Sequence, residues 1–398
     1  MANEMTFNQI STVLNSIHNQ ATGKQAPIAT DTGSFVTQAQ TVLKTGYDNT
    51  LNAISQVLSR TIFSIRPYYR KFGGIEVDDI KWGNHVRKLN NIDLLFEDDA
   101  RYDIEDGTSI DMFKVRKNKV LQTNFYGQEV FERQSPTYFR DQLDVAFSGP
   151  QEFARYITMV TQNGNDIIEQ AYEGLARMLV CNLIGANKAV NSDKPDGIVH
   201  LVSEYNAYAG TSLDSDSVRS PENWKEFSRW MFAKIKTLRS LMTERTIKYQ
   251  FNIEQNGESK AITRHTPLDR QKIYLLTDIM NHVDAEVLSV TYNNEYLTIG
   301  DHESVNYWQS PDDISTIIVQ PSYINKEGVA VGGEVGLQRV ANVVGVIFDE
   351  EAIGYNRTNQ WSGVTPFNVK GGYYNEFYHS TGRWWTDMTE KSVVLLLD

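Results

Sequence analysis

Five aliphatic residues in a row, Val393, Val394, Leu395, Leu396 and Leu397, run almost to the last position, with no charge until Asp398. A surface strand alternates apolar and polar side chains; this run has no polar face to turn to water, so it reads as a strand buried on both sides within a sheet. Chain ends ordinarily fray, and a fold that accepts this segment is expected to close over its own end. Two more strands are expected nearby in sequence. One is the β-branched run Val343–Phe348; in the other, Tyr373, Phe377 and His379 alternate with Asn375 and Tyr378. These segments read as the closing sheet of a domain begun much earlier in the chain.

A length of 398 residues can bury a large core and would ordinarily divide into two or three domains. With 40% hydrophobic and 22% charged residues the composition is that of a globular protein. The net charge of -12 and pI near 5.2 argue against a protein that grips nucleic acid, because neutralising phosphates takes clusters of Lys and Arg. An acidic balance suits a container wall that must not stick to its contents, and it suits an acidic cytosolic protein equally well. Cys181 is the only cysteine, so no intramolecular disulfide is available, and its apolar helical context reads as a buried structural thiol. The start, MANEMTFNQI, lacks the basic and apolar regions of a signal peptide. No window approaches eighteen uninterrupted apolar residues. Neither secretion nor membrane insertion is expected.

Along the chain, residues 1–60 are rich in Gln, Asn, Ser and Thr, with a turn-forming stretch at Gly23–Gly33, and read as an arm. Within it Phe35, Ala39, Val42, Leu43, Tyr47, Leu51, Ile54, Val57 and Leu58 recur at helical spacing, a stripe that covers either its own core or a neighbouring subunit. From Ile65 to Phe139, short β-type runs around Ile75, Val77 and Ile80 and around Val115, Val120, Leu121, Phe125 and Tyr126 predict a long hairpin. Its charges are segregated. Glu97, Asp98, Asp99, Asp103, Glu105, Asp106 and Asp111 precede Lys114, Arg116, Lys117 and Lys119, an arrangement that can pair across strands or across subunits. The acids do not have the spacing of a calcium-binding loop.

Ser148 and Gln151 stand at capping-box spacing ahead of the longest helical pattern, with Pro150 in the first turn. The apolar face runs from Phe153 through Leu175 to Leu183; the triplet Asn163, Gly164, Asn165 is its weak point, where the rod could split or bend. Residues 200–340 mix helices and strands: a helix opening at Ser220–Pro221, a strand Lys272–Leu276 leading into a helix capped by Thr277, and a strand Ile314–Gln320.

Catalytic patterns are lacking. The glycines at 328, 332, 333 and 336 match no phosphate-binding loop, the seven histidines have no zinc-site spacing, and there is no G-x-S-x-G elbow. No catalytic residue, cofactor or metal ligand is therefore assigned. Asp349 and Glu350, with Trp361, Trp384 and Trp385, leave open a carbohydrate-active or carbohydrate-binding protein, since such sites pair carboxylates with aromatic platforms.

One resemblance carries more. Gly354, Tyr355, Asn356, Arg357 and Asn359, then Gly371, Gly372, Tyr373, Tyr374, Tyr378, Arg383, Trp384 and Trp385 with the terminal strand, resemble the carboxyl end of major capsid proteins of tailed double-stranded DNA bacteriophages, most like small podoviruses. The resemblance implies an α+β, HK-ninety-seven-like fold. Its parts would be an N-terminal arm at 1–65, an extended loop at 66–140, a peripheral domain with a spine helix at 141–200, an axial domain at 201–340, and C-terminal strands at 341–398 that complete the peripheral domain. It also implies a non-enzymatic protein that self-assembles, as pentamers and hexamers, into an icosahedral shell enclosing phage DNA. Scaffold, portal or decoration proteins would be partners, and the protein would belong to the virion, with assembly in the host cytoplasm. On this reading Glu97, Asp98, Asp99, Asp103, Asp106, Lys114, Arg116, Lys117 and Lys119 would contact a neighbouring subunit.

Overall fold

The computed structural model describes residues 6–25, 27–46, 49, 53, 72–77, 86–91, 105–109, 113, 120–125, 129–134, 138–139, 149–191, 194–255, 258–260, 262–287, 302–325, 330–332, 335–366 and 368–398. The first sixty residues contain more helix than their polar composition suggests. Helix α1, Phe7–Thr22, starts where Thr6 and Gln9 form a capping box and ends at Gly23, whose φ of 67° is the left-handed conformation that glycine adopts at no steric cost. It buries Ile10, Val13, Leu14 and Ile17, spaced three and four residues apart. Helix α2, Thr32–Lys44, is capped by Asp31, whose side chain accepts from the Ser34 N–H at 2.6 Å. Its apolar face (Phe35, Ala39, Val42) packs with α1, Phe153 and Tyr374 in a small core, so the described part of the stripe covers its own chain. Tyr47, Leu51, Ile54, Val57 and Leu58 lie outside the described residues.

Helix α3, Pro150–Ala189, is 40 residues long, about 60 Å at 1.5 Å per residue. The expected capping box is not what starts it: Gly149 occupies the N-cap with no side-chain bond, Pro150 supplies the first turn, and Ser148 lies outside the described residues. Nor does the Asn163-Gly164-Asn165 triplet divide it. The burial of Leu175, Ala176, Leu179, Val180, Leu183 and Ile184 anchors the C-terminal half, and tertiary packing outweighs the roughly 1 kcal/mol that one glycine costs a helix. The further helices used below are α4 at Leu201–Ala209, α5 at Pro221–Thr243 and α6 at Thr277–Val287. Thr277 is the first residue of α6 rather than its cap.

The strands used below are, in chain order, β1 Val86–Asn91, β2 Val120–Phe125, β3 Glu129–Gln134, β4 Ile198–His200, β5 Gln271–Leu276, β6 Glu303–Val305, β7 Ile317–Val319, β8 Gln338–Val340, β9 Val343–Asp349, β10 Ile353–Val364, β11 Glu376–Thr386 and β12 Ser392–Leu396. The terminal apolar run is β12. It sits inside a five-stranded sheet of order β4-β12-β9-β5-β6, antiparallel to β9 and parallel to β4. Every residue of β9 and of β12 is buried, which requires cover on both faces. Helix α3 packs against β12, while α6 packs against β5, β6 and α5, and α4 against α5. The rings of Phe72, Tyr274 and Phe348 stack in succession at 5.3 and 5.6 Å, tying the segment ahead of the hairpin to the sheet.

A second, three-stranded antiparallel sheet runs β10-β11-β3, and β1 pairs antiparallel with β2 from Val86↔Phe125 to Asn91↔Val120. The region expected to form a long hairpin thus contains an antiparallel strand pair, but its first strand is Val86–Asn91; Ile75 belongs to a 3-10 turn, Gly73–Ile75, Val77 to no strand, and Ile80 and Val115 lie outside the described residues. The strand expected at Ile314–Gln320 is confined to β7. Among the described residues no helix is long and apolar enough to cross a membrane.

Lys194 lies wholly inside, between α3 and β4, with Nζ 2.9 Å from Asn187 Oδ1 and 2.7 Å from Ser392 Oγ. Neither neighbour carries a charge to compensate it, and burial pushes the amine down to about 7. An exposed lysine titrates near 10.5, so above pH 7 the unfolded chain holds the extra proton and the folded chain loses it. Stability is therefore expected to rise from about pH 7 towards pH 10.5, and Lys194→Met should remove most of that rise in denaturant titrations. Lys391, lowered to about 8 by burial, adds a change of the same sign. For the spine, Gly164→Ala should raise stability by about 0.5 to 1 kcal/mol if the helix is continuous in solution; a loss would place a bend there.

Candidate functional site

The densest charge cluster among the described residues lies where β1 meets the two turns that flank β10 and β11. The turn between β11 and β12 reads Asp387-Met388-Thr389-Glu390-Lys391. Asp387 closes it as an Asx turn, accepting from the Thr389 backbone N–H at 2.9 Å and from its hydroxyl at 2.6 Å. The turn between β9 and β10 is built the same way: Asp349 Oδ1 accepts from the Glu351 N–H at 2.9 Å, and Oδ2 from the Thr266 hydroxyl at 2.7 Å. These turns bring Asp387, Glu390 and Glu351 together around one cation, Lys88 of β1. Its Nζ is 3.0 Å from Asp387 and 3.2 Å from Glu351 and also contacts Glu390 Oε1. Arg264 reaches Glu390 at 3.1 Å, and Arg270 bridges Glu350 and, at 2.9 Å, Glu351.

Titration directions show which force wins. Burial alone would lower Lys88, but Asp387 and Glu390 outweigh it and hold the ammonium above the ordinary lysine value. Asp387 is buried, which would raise it; Lys88 and the Thr389 bonds prevail and keep its carboxyl low. At Glu390 burial prevails over Lys88 and Arg264, with Asp387 adding repulsion, and the carboxyl is raised. Lys391, next along the turn, points the other way, donating to the Glu244 carbonyl at 2.6 Å and to Thr246 Oγ1 at 3.2 Å. The cluster has no nucleophile poised against a base. Its effect is mechanical: it fastens β1 to the turns that close the core.

A family model described as Phi29-like phage major capsid protein matches residues 14–395. The chain belongs to that family. Among solved structures it is similar to a chain of the capsid of Staphylococcus phage Andhra, with 11% identity and a TM-score of 0.54 over 85% of this chain and 87% of that one. It is also similar to a chain from the structure of head fiber and inner core protein gp22 of native bacteriophage P68, with 9% identity and a TM-score of 0.53 over 85% and 87% of the two chains. At these identities the structural likeness shows the shared fold alone. None of the curated proteins matches it.

As a Phi29-like major capsid protein the chain is a structural component of the phage head, self-assembling into the shell that encloses the genome, and not an enzyme. The comparisons lend the carbohydrate reading no support. Asp349 and Glu350 are engaged by Thr266 and Arg270, and Asn356, a glycosylation sequon in form, is fully buried on β10. The Cys181 thiol is pushed up to about 12 by burial and hydrogen bonds to the Trp308 carbonyl, the inert state expected of a structural cysteine.

Of the residues expected to contact a neighbour, Asp106 is described, exposed within a turn at 105–109; Glu97, Asp98, Asp99, Asp103, Lys114, Arg116, Lys117 and Lys119 lie outside the described residues. The Lys88 cluster escaped sequence reading. Its one local signal is the acid-rich turn placed directly before an all-apolar strand, and its cation comes from about 300 residues upstream in the chain.

Lys88→Met should destabilise the capsid protein by about 3 to 5 kcal/mol, because it leaves Asp387 buried without its cation. Adding Asp387→Asn to Lys88→Met should recover a large part of that loss. Denaturant unfolding of the three proteins measures both.

Proposed function

We propose that the shell is built from five- and six-copy rings of this chain, and that the charged stretch between β1 and β2 lies across the neighbouring copy. The observation that carries the reading is the placement of the charge blocks. Glu97 to Asp111 and Lys114 to Lys119 fall in the connection between two antiparallel strands whose base is fastened to the core through Lys88. A hairpin anchored at its base and charged beyond it suits contacts that differ slightly in angle from ring to ring, since long charged side chains re-pair at small cost. The division into an arm at 1–65, an extended loop at 66–140, a peripheral domain with the spine at 141–200, an axial domain at 201–340 and closing strands at 341–398 belongs to the same proposal. So do scaffold, portal or decoration proteins as partners and assembly in the host cytoplasm.

Arg116→Glu with Lys117→Glu tests it. Exposed pairs contribute roughly 0 to 1 kcal/mol each, so the isolated subunit should keep its circular dichroism while particle yield on a sucrose gradient collapses. Normal yield at low and moderate salt would remove the intersubunit role, and an unfolded subunit would make the charges internal.

A further inference from the structure

We draw no further inference here: the strongest candidate, the buried side-chain pair Arg383 and Asn356, set opposite each other on β11 and β10 with polar atoms unpartnered among the described residues, carries nothing because those atoms are closed off from solvent and nothing in the structure shows what covers them.

Discussion

The pairing of β9 with β12 organises the rest of the molecule. Its register runs from Val343↔Leu396 to Phe348↔Ser392 with a shift at Gly345, where a side chain would overlap Leu275 and the Tyr274 carbonyl. Neither strand has a polar face, so each is stable only when covered above, below and on both edges. β4 and β5 flank the pair in the sheet, and α3 covers one of its faces. Because β10 and β11 form the connection between β9 and β12, the long hairpin they make is held at its root by the same pairing. Most of these contacts join residues far apart in sequence, a topology that forms slowly because loop closure precedes the gain from burial.

Polar groups near this centre obey a different rule. Lys194 and Lys391 lie beside the apolar sheet and donate to neutral oxygens; burial drives both toward the uncharged form, at Lys391 against the opposing charge of Glu244. Lys88 is met by carboxylates and is driven the other way. The difference is the partner's charge and not the depth of burial. For a capsid protein the second arrangement fastens the β1–β2 pair through ionic bonds whose strength depends on salt and pH, where an apolar seam would have none of that sensitivity.

Several elements were legible in the residues themselves. Val393 to Leu397, Val343 to Phe348 and the periodic face from Phe153 to Leu183 announce a two-sided strand pair and a long helix because their patterns suit no other environment. The clustered Gly, Tyr, Arg and Trp of the last fifty residues carried the capsid resemblance. Helix α1 was obscured by its polar composition, although Ile10, Val13, Leu14 and Ile17 hold the helical spacing. The continuity of α3 could not be read locally, since Asn163-Gly164-Asn165 is a turn by propensity and helix only because of what the flanking turns pack against.

By itself, then, the sequence determined which segments must be buried and on how many sides, because hydrophobic periodicity is a local property of the chain. It could not say that β12 lies between β4 and β9, that Lys88 meets acids some 300 residues away, or that Lys194 is met by Asn187 and Ser392. Strand order and ionic partnership depend on distances that the chain sets only when it closes on itself, and charges along a sequence carry no record of which others they will face.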